Sequence, residues 1–183
     1  VSIGGIAKGS GMIHPNMATM LAILATDAAV EAGFLRQALK SAVDRSFNMI
    51  SVDGDTSTSD TVLLLANGAA GGPTITAASP EAATFKEALD QICEYLAKAI
   101  VRDGEGASKL FEVQIEGARS EAEARMAART ISSSNLVKTA VHGNDPNWGR
   151  IVAALGRSGA KVEEAKLSIY INGVCLMEDG LPI

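Results

Sequence analysis

The stretch EAGFLRQALKSAVDRSF, Glu31 to Phe47, decides the fold class. Phe34, Leu35, Ala38, Leu39, Ala42 and Val43 recur at three- and four-residue spacing, which is one face of an amphipathic helix. On both sides of it the pattern changes. Ser2 to Ala7 and Met17 to Ala25 are short apolar runs bounded by glycine, proline or asparagine and read as strands, with a reversal around Gly9 to Pro15 between them. Met49 to Val52 and Thr61 to Ala66 read as two more, and the VLLLA of the second predicts a strand buried on both faces.

Further along, Glu81 to about Val101 predicts a long helix that ends at Asp103-Gly104. Lys109 to Gly117 alternates Phe111, Val113 and Ile115 as a strand with one wet face. Glu121 to Ser132 returns to helix, Leu136 to Leu155 is helical on both sides of a DPNWGR turn, and Lys166 to Leu176 closes in a strand or a hairpin around Asn172-Gly173. Strands and helices alternate without internal repeats, so the class is α/β, in the α+β sense of mixed sheets covered by helices. The shift to GAAGGP after Asn67 is the best boundary in the chain. It predicts one lobe over 1–72 and a second α/β lobe over 73–183.

Composition removes several function classes. The 183 residues are 47% hydrophobic, enough for one sizeable core or two small ones, and the net charge is -5 with lysine and arginine scattered. No basic stripe for nucleic acid or anionic membrane is present. No run reaches the roughly 18 apolar residues of a membrane helix. Cys93 and Cys175 lie far apart in apolar patterns and read as buried thiols of a reducing compartment. The chain opens at Val1 and closes at Ile183 shortly after a strand-like run, which suggests a part of something longer.

Chemistry concentrates in KGSGMIHPNMATMLA, Lys8 to Ala22. Thr19 follows a glycine-flanked loop and begins an apolar run. By periodicity alone it is a β-branched strand residue. Its hydroxyl is a weak nucleophile unless a base lies beside it, and one solution is the threonine's own α-amine, freed when the preceding bond is cut. That amine titrates near 7.7 to 8, about where an enzyme operates. Ala18 is small enough to let the hydroxyl approach the carbonyl it attacks.

Gly5 to Ile13, then PNMATML from Pro15 to Leu21, then Thr26-Asp27-Ala28 resemble the autoprocessing signature of the glutamate N-acetyltransferase (ornithine acetyltransferase) family of arginine biosynthesis. The resemblance continues through RSFN at Arg45 to Asn48, SVDGDTST at Ser51 to Thr58, Leu63 to Gly68, RDGEGA at Arg102 to Ala107 and GNDPNWGRI at Gly143 to Ile151, nearly the whole chain. It implies an ornithine acetyltransferase or amino-terminal-nucleophile aminopeptidase-like fold and a partial chain of a longer precursor. It also implies cleavage between Ala18 and Thr19, Thr19 as catalytic nucleophile, and Lys8, Thr19 and Glu105 as substrate-binding residues. Lysine suits a substrate carboxylate and Glu105 a substrate ammonium. Read without the resemblance, Lys8 is a solvated loop lysine and Glu105 an exposed turn residue.

The implied reaction moves an acetyl group from N2-acetylornithine to glutamate through an acetyl-threonine ester, with no cofactor; whether acetyl-CoA is also a donor is not legible. The implied partners are a heterodimer of the two cleavage products, assembled into a higher oligomer such as a heterotetramer, in the cytoplasm. The family's oxyanion donors, a Thr-Gly pair, and two further substrate contacts belong to segments outside this sequence. Two other classes compete: an amino-terminal-nucleophile aminopeptidase or amidase, and a noncatalytic fragment. Lys8 with Glu105 separates the first, since a hydrolase needs no second amino-acid site.

Remaining motifs are weaker. In DGDTSTSD, Asp53, Asp55 and Asp60 imitate a calcium loop, but its sixth and twelfth places, counted from Asp53, hold Thr58 and Leu64, so a hydrogen-bonded Asx-type turn is expected and no metal. GEGASK lacks the spacing of a phosphate loop. His14 and His142 form no motif, and Trp148 is expected to pack in the core.

Overall fold

The computed structural model describes residues 1–14 and 20–183. They form two compact units, Val1–Ala107 and Ser108–Ile183.

The first unit is built on a three-stranded sheet. β1 (Ile3–Lys8) pairs antiparallel with β2 (Leu21–Thr26), and β2 pairs parallel with β3 (Thr61–Ala66), in the order β1-β2-β3. Parallel neighbours need a crossover, and α1 (Ala32–Arg45) lies on it. Glu31 caps that helix, its carboxylate accepting the Gly33 and Phe34 N–H groups at 2.8 and 2.7 Å. Phe34, Ala38 and Ala42 form its buried stripe, as the periodicity predicts.

α2 (Ala82–Arg102) turns Phe85, Leu89, Cys93, Leu96, Ala97 and Ile100 inward. It packs on α1, with the rings of Phe34 and Phe85 6.1 Å apart, and on β1. Gly5 permits that approach: a Cβ there would stand 3.1 Å from Leu96 Cδ1 and 3.2 Å from Leu24 Cδ2. The expected boundary at 72/73 therefore falls inside one unit. Ile75, Phe85 and Leu89 share a core with Leu24 and Phe34, so the glycine-rich stretch is a loop and the division lies at 107/108.

Both helices lie on the same side of the sheet, and among the described residues nothing covers the other side. Ala22 and Leu24 are buried, whereas Ile6, Leu21, Ile23, Leu63 and Leu65 are exposed, Leu65 by 60%. β3 is thus covered on one face, not on both as its apolar run predicts, because no described element lies over Leu63 and Leu65. The expected strand at Met49 to Val52 is replaced by a 3₁₀ turn, Phe47–Met49, followed by irregular chain. Phe47 is fully buried there, and Val52 donates to the Ile13 carbonyl at 2.7 Å.

In the second unit, α3 (Glu121–Ser132), α4 (Asn135–His142) and α5 (Trp148–Gly156) surround Ala127, Ile131, Val137, Ala154 and Leu155. Ser120 and Asn147 cap α3 and α5 through their side-chain oxygens. β4 (Ile169–Ile171), β5 (Val174–Glu178) and β6 (Leu181–Pro182) form a small antiparallel sheet. The β4–β5 turn is the expected Asn172-Gly173, at φ 51° and 81°, the left-handed pair that a two-residue hairpin demands. Residues 109–117 turn Phe111, Val113 and Ile115 onto the core but form no ladder among the described residues, so the alternation is right and the strand is not formed. Trp148 is half-buried and lies outside that core. Both cysteines are free thiols; Cys93 is buried, and Cys175, on the small sheet, is only half-buried. Among the described residues no helix is long and apolar enough to cross a membrane.

Candidate functional site

The loop leaving β1 is held by acidic residues far away in sequence. Asp53 accepts the Met12 N–H at 2.5 Å and the Ile13 N–H at 3.1 Å, and its Oδ1 also accepts the Asp55 N–H at 3.0 Å. The last bond is the Asx-type turn expected of DGDTSTSD; the first two cross about forty residues. Burial opposes the Asp53 charge, but the N–H groups of Asp55, Met12, Ile13 and Asp53 itself outweigh it and hold the carboxyl below its ordinary value. Met12 sits at φ 55°, a region that apolar side chains seldom take, and the Asp53 bond to its N–H helps hold it there. His14 Nδ1 lies 3.1 Å from Ser51 Oγ in the same junction.

Glu105 reaches this loop from the end of α2. Its N–H donates to the Ser10 carbonyl at 2.7 Å. Its carboxylate lies over Gly11: a Cβ built there would stand 2.9 Å from Glu105 Oε2 and 3.8 Å from Asp53 Oδ2. Gly104 is buried against Val52, which fixes the turn carrying Glu105. Lys8 ends β1, exposed, at a cleft of about 530 Å³ between Ala7–Gly11 and the α2 side chains Leu96, Ala99 and Ile100, with Asp103 at its rim. No described residue forms an ion pair with its ammonium.

The structure thus brings Glu105, 97 positions from Lys8 in numbering, against Ser10 and Gly11, the second and third residues after Lys8. Ala18 and Thr19 lie outside the described residues. The following residue, Met20, is buried and doubly held: its N–H donates to Asp60 Oδ1 at 2.7 Å and its carbonyl accepts the Thr61 N–H at 2.9 Å. Burial, opposed by the Met20 N–H, raises the Asp60 pKa. Sequence reading missed the long-range roles of Asp53 and Asp60. The acidic density of DGDTSTSD was the available signal, but local spacing points only to a turn. Outside this region, Ser108 Oγ lies 3.2 Å from His142 Nδ1, and Lys109 closes the α4 terminus by donating to the Val141 and His142 carbonyls.

A family model described as the ArgJ family matches residues 1–183. The arginine biosynthesis bifunctional protein ArgJ of Symbiobacterium thermophilum is 56% identical over 183 residues, covering 100% of this chain and 46% of that protein. The protein of the same name from Bacillus subtilis is 53% identical over 182 residues, with 100% and 45% covered. This chain therefore spans less than half the length of these relatives. The crystal structure of the arginine biosynthesis bifunctional protein argJ from Bacillus halodurans superposes with a TM-score of 0.85 at 46% identity, over 87% of this chain and 75% of that one.

Proposed function

Because the chain belongs to the ArgJ family, we propose that it carries the nucleophile and part of the amino-acid site of an acetyltransferase of arginine biosynthesis. In this reading the full-length protein cuts itself between Ala18 and Thr19. Thr19 then takes the acetyl group of N2-acetylornithine as an ester and passes it to glutamate. The observation that carries the reading is that Glu105 packs on Ser10 and Gly11, in the loop that begins at Lys8. A cation at the start of this loop and an anion packed on it are the two charges that an α-amino acid, with its carboxylate and ammonium, requires.

Each residue has a separate task. Lys8, with no ion partner among the described residues, receives a substrate carboxylate as a point charge. Glu105, whose main chain is tied to Ser10, presents its carboxylate to a substrate ammonium. Attack by the Thr19 hydroxyl on the acetyl carbonyl needs a base, and the freed α-amine of Thr19 supplies it. Each half reaction passes through an oxyanion, whose donors this reading assigns to other segments of the full-length protein. Water is the competing acceptor; a transferase must place glutamate's amine better than water. The working assembly in this proposal is the pair of cleavage products, oligomerised, acting in the cytoplasm without a cofactor.

The test uses full-length protein containing this sequence. With acetylornithine alone, ornithine release should be slow; adding glutamate should accelerate it and yield N-acetylglutamate in equal amount. Equal rates with and without glutamate, and free acetate as product, refute the transferase reading in favour of a hydrolase. Thr19→Ala should remain one uncut polypeptide by mass spectrometry, and cutting at the same bond in that variant refutes self-processing.

A further inference from the structure

Leu96, Ala99, Ile100 and Asp103 recur at three- and four-residue spacing, so they share one face of α2, and together they line the cleft of about 530 Å³ beside Lys8. Three of the four are apolar; the fourth is an acid. Asp103 is exposed, and no described residue forms an ion pair or a hydrogen bond with its carboxylate. Arg102 precedes it, but consecutive residues of a helix face different sides. Asp103 also stands at the C-terminal end of a 21-residue helix, where the main-chain carbonyls already gather negative charge and an anion is disfavoured. An anion kept there, on the wall of a cavity and without a cation of the protein beside it, suits the cation of a ligand.

The cleft thus offers a lysine, an apolar wall and a carboxylate. N2-acetylornithine carries the matching groups: an α-carboxylate, a chain of methylenes and one ammonium at the far end, its α-nitrogen being acylated and uncharged. We propose that Asp103 is a specificity-determining residue of this cleft, taking the distal ammonium of the acetyl donor while the methylenes lie along Leu96, Ala99 and Ile100 and the α-carboxylate turns to Lys8. This rests on the acetyltransferase reading above and adds a residue to it. An ammonium has three N–H donors, more than one carboxylate usually satisfies. Glu105 stands over Gly11, which lines the same cleft, and shares the distal ammonium with Asp103.

The sign of its charge makes Asp103 selective. The donor ends in an ammonium and the acceptor, glutamate, ends in a carboxylate. A carboxylate that attracts the first repels the second. Asp103 therefore strengthens binding of the donor and contributes nothing to that of the acceptor, so the two substrates respond differently to its loss. Exposure to water keeps the effect modest, about tenfold in donor affinity.

The experiment uses full-length protein carrying Asp103→Asn, which removes the charge and keeps the shape. KM and kcat are measured for N2-acetylornithine, for N-acetylnorvaline, which has the same carbon chain without the distal amine, and for glutamate, beside melting temperature and self-cleavage. The unaltered protein should prefer acetylornithine to acetylnorvaline. In Asp103→Asn the KM for acetylornithine should rise about tenfold, that for acetylnorvaline should stay within about twofold, and that for glutamate should be unchanged or lower. Melting temperature should not fall, since an anion leaves a helix C-terminus. An unchanged KM for acetylornithine overturns the proposal, and so does equal weakening of both donors, the mark of a merely structural role. If Asp103→Asn does not fold, Asp103→Ala is read in the same way; failure of both to fold also overturns the proposal, because the carboxylate would then hold the structure. Unaltered protein that transfers acetyl to glutamate but takes both donors equally well overturns it while leaving the acetyltransferase reading in place. Unaltered protein that transfers no acetyl to glutamate refutes that reading itself, an outcome seen before any variant is made.

Discussion

Adding one carbon at Gly11 tests the placement of Glu105 without changing any charged group. The Cβ of Gly11→Ala would stand 2.9 Å from Glu105 Oε2, closer than such contacts occur, so the carboxylate must retreat by about half an ångström. The obstacle is the end of an exposed, flexible side chain, and Gly11 is not among the glycines at positive φ, so the backbone accepts alanine. Folding stability should change by less than about 1 kcal/mol, with the entropy of the unfolded chain favouring the variant. Binding should suffer more. A charge-assisted hydrogen bond is worth about 1.5 to 3 kcal/mol, and partial loss at an exposed site is about 1.4 kcal/mol, or tenfold in substrate affinity. The assay is KM for acetylornithine in full-length Gly11→Ala, with melting temperature and self-cleavage measured alongside. A tenfold higher KM with both controls unchanged is expected. Unchanged KM refutes the role given to Glu105, and a large fall in melting temperature refutes the argument that the side chain yields rather than the backbone.

Three further outcomes follow from the same geometry. Asp53→Asn should destabilise the first unit by about 1 kcal/mol at neutral pH, the value for charged hydrogen bonds discounted for exposure. The folded Asp53 pKa lies below its ordinary value, so this contribution is present above the ordinary value and is lost as pH falls through the folded one; melting curves of variant and parent should converge in acid. Leu89→Ala, at a site with 0% exposure, should cost about 2 to 5 kcal/mol in denaturant unfolding, whereas Leu65→Ala, on the bare sheet face, should cost far less in the isolated 183-residue chain. In full-length protein Thr19→Ala should form no acetyl-enzyme, while Glu105→Gln should still form some at high acetylornithine; equal loss in both, with the fold intact, would show that the two roles are misassigned.

Local pattern was enough wherever an element's own side chains decide its conformation. The stripe from Phe34 to Ala42 makes α1, the run from Phe85 to Ile100 makes α2, and Asn172-Gly173 makes its hairpin, because helical periodicity and a left-handed turn pair are properties of consecutive residues. The motifs from Lys8 to Leu21 and from Arg102 to Ala107 were enough to point to the family. Tertiary structure decided what depends on a partner elsewhere. A strand exists only beside another strand, so 109–117 alternates without a ladder and Met49 to Val52 turns instead of extending. A glycine-rich loop marks a boundary only if the next element packs elsewhere, and α2 packs back on α1 and β1. Asp53 and Asp60 reach Met12, Ile13 and Met20 across 40 or 41 positions, a separation at which spacing carries no signal because the fold alone brings the carboxylate to the amide.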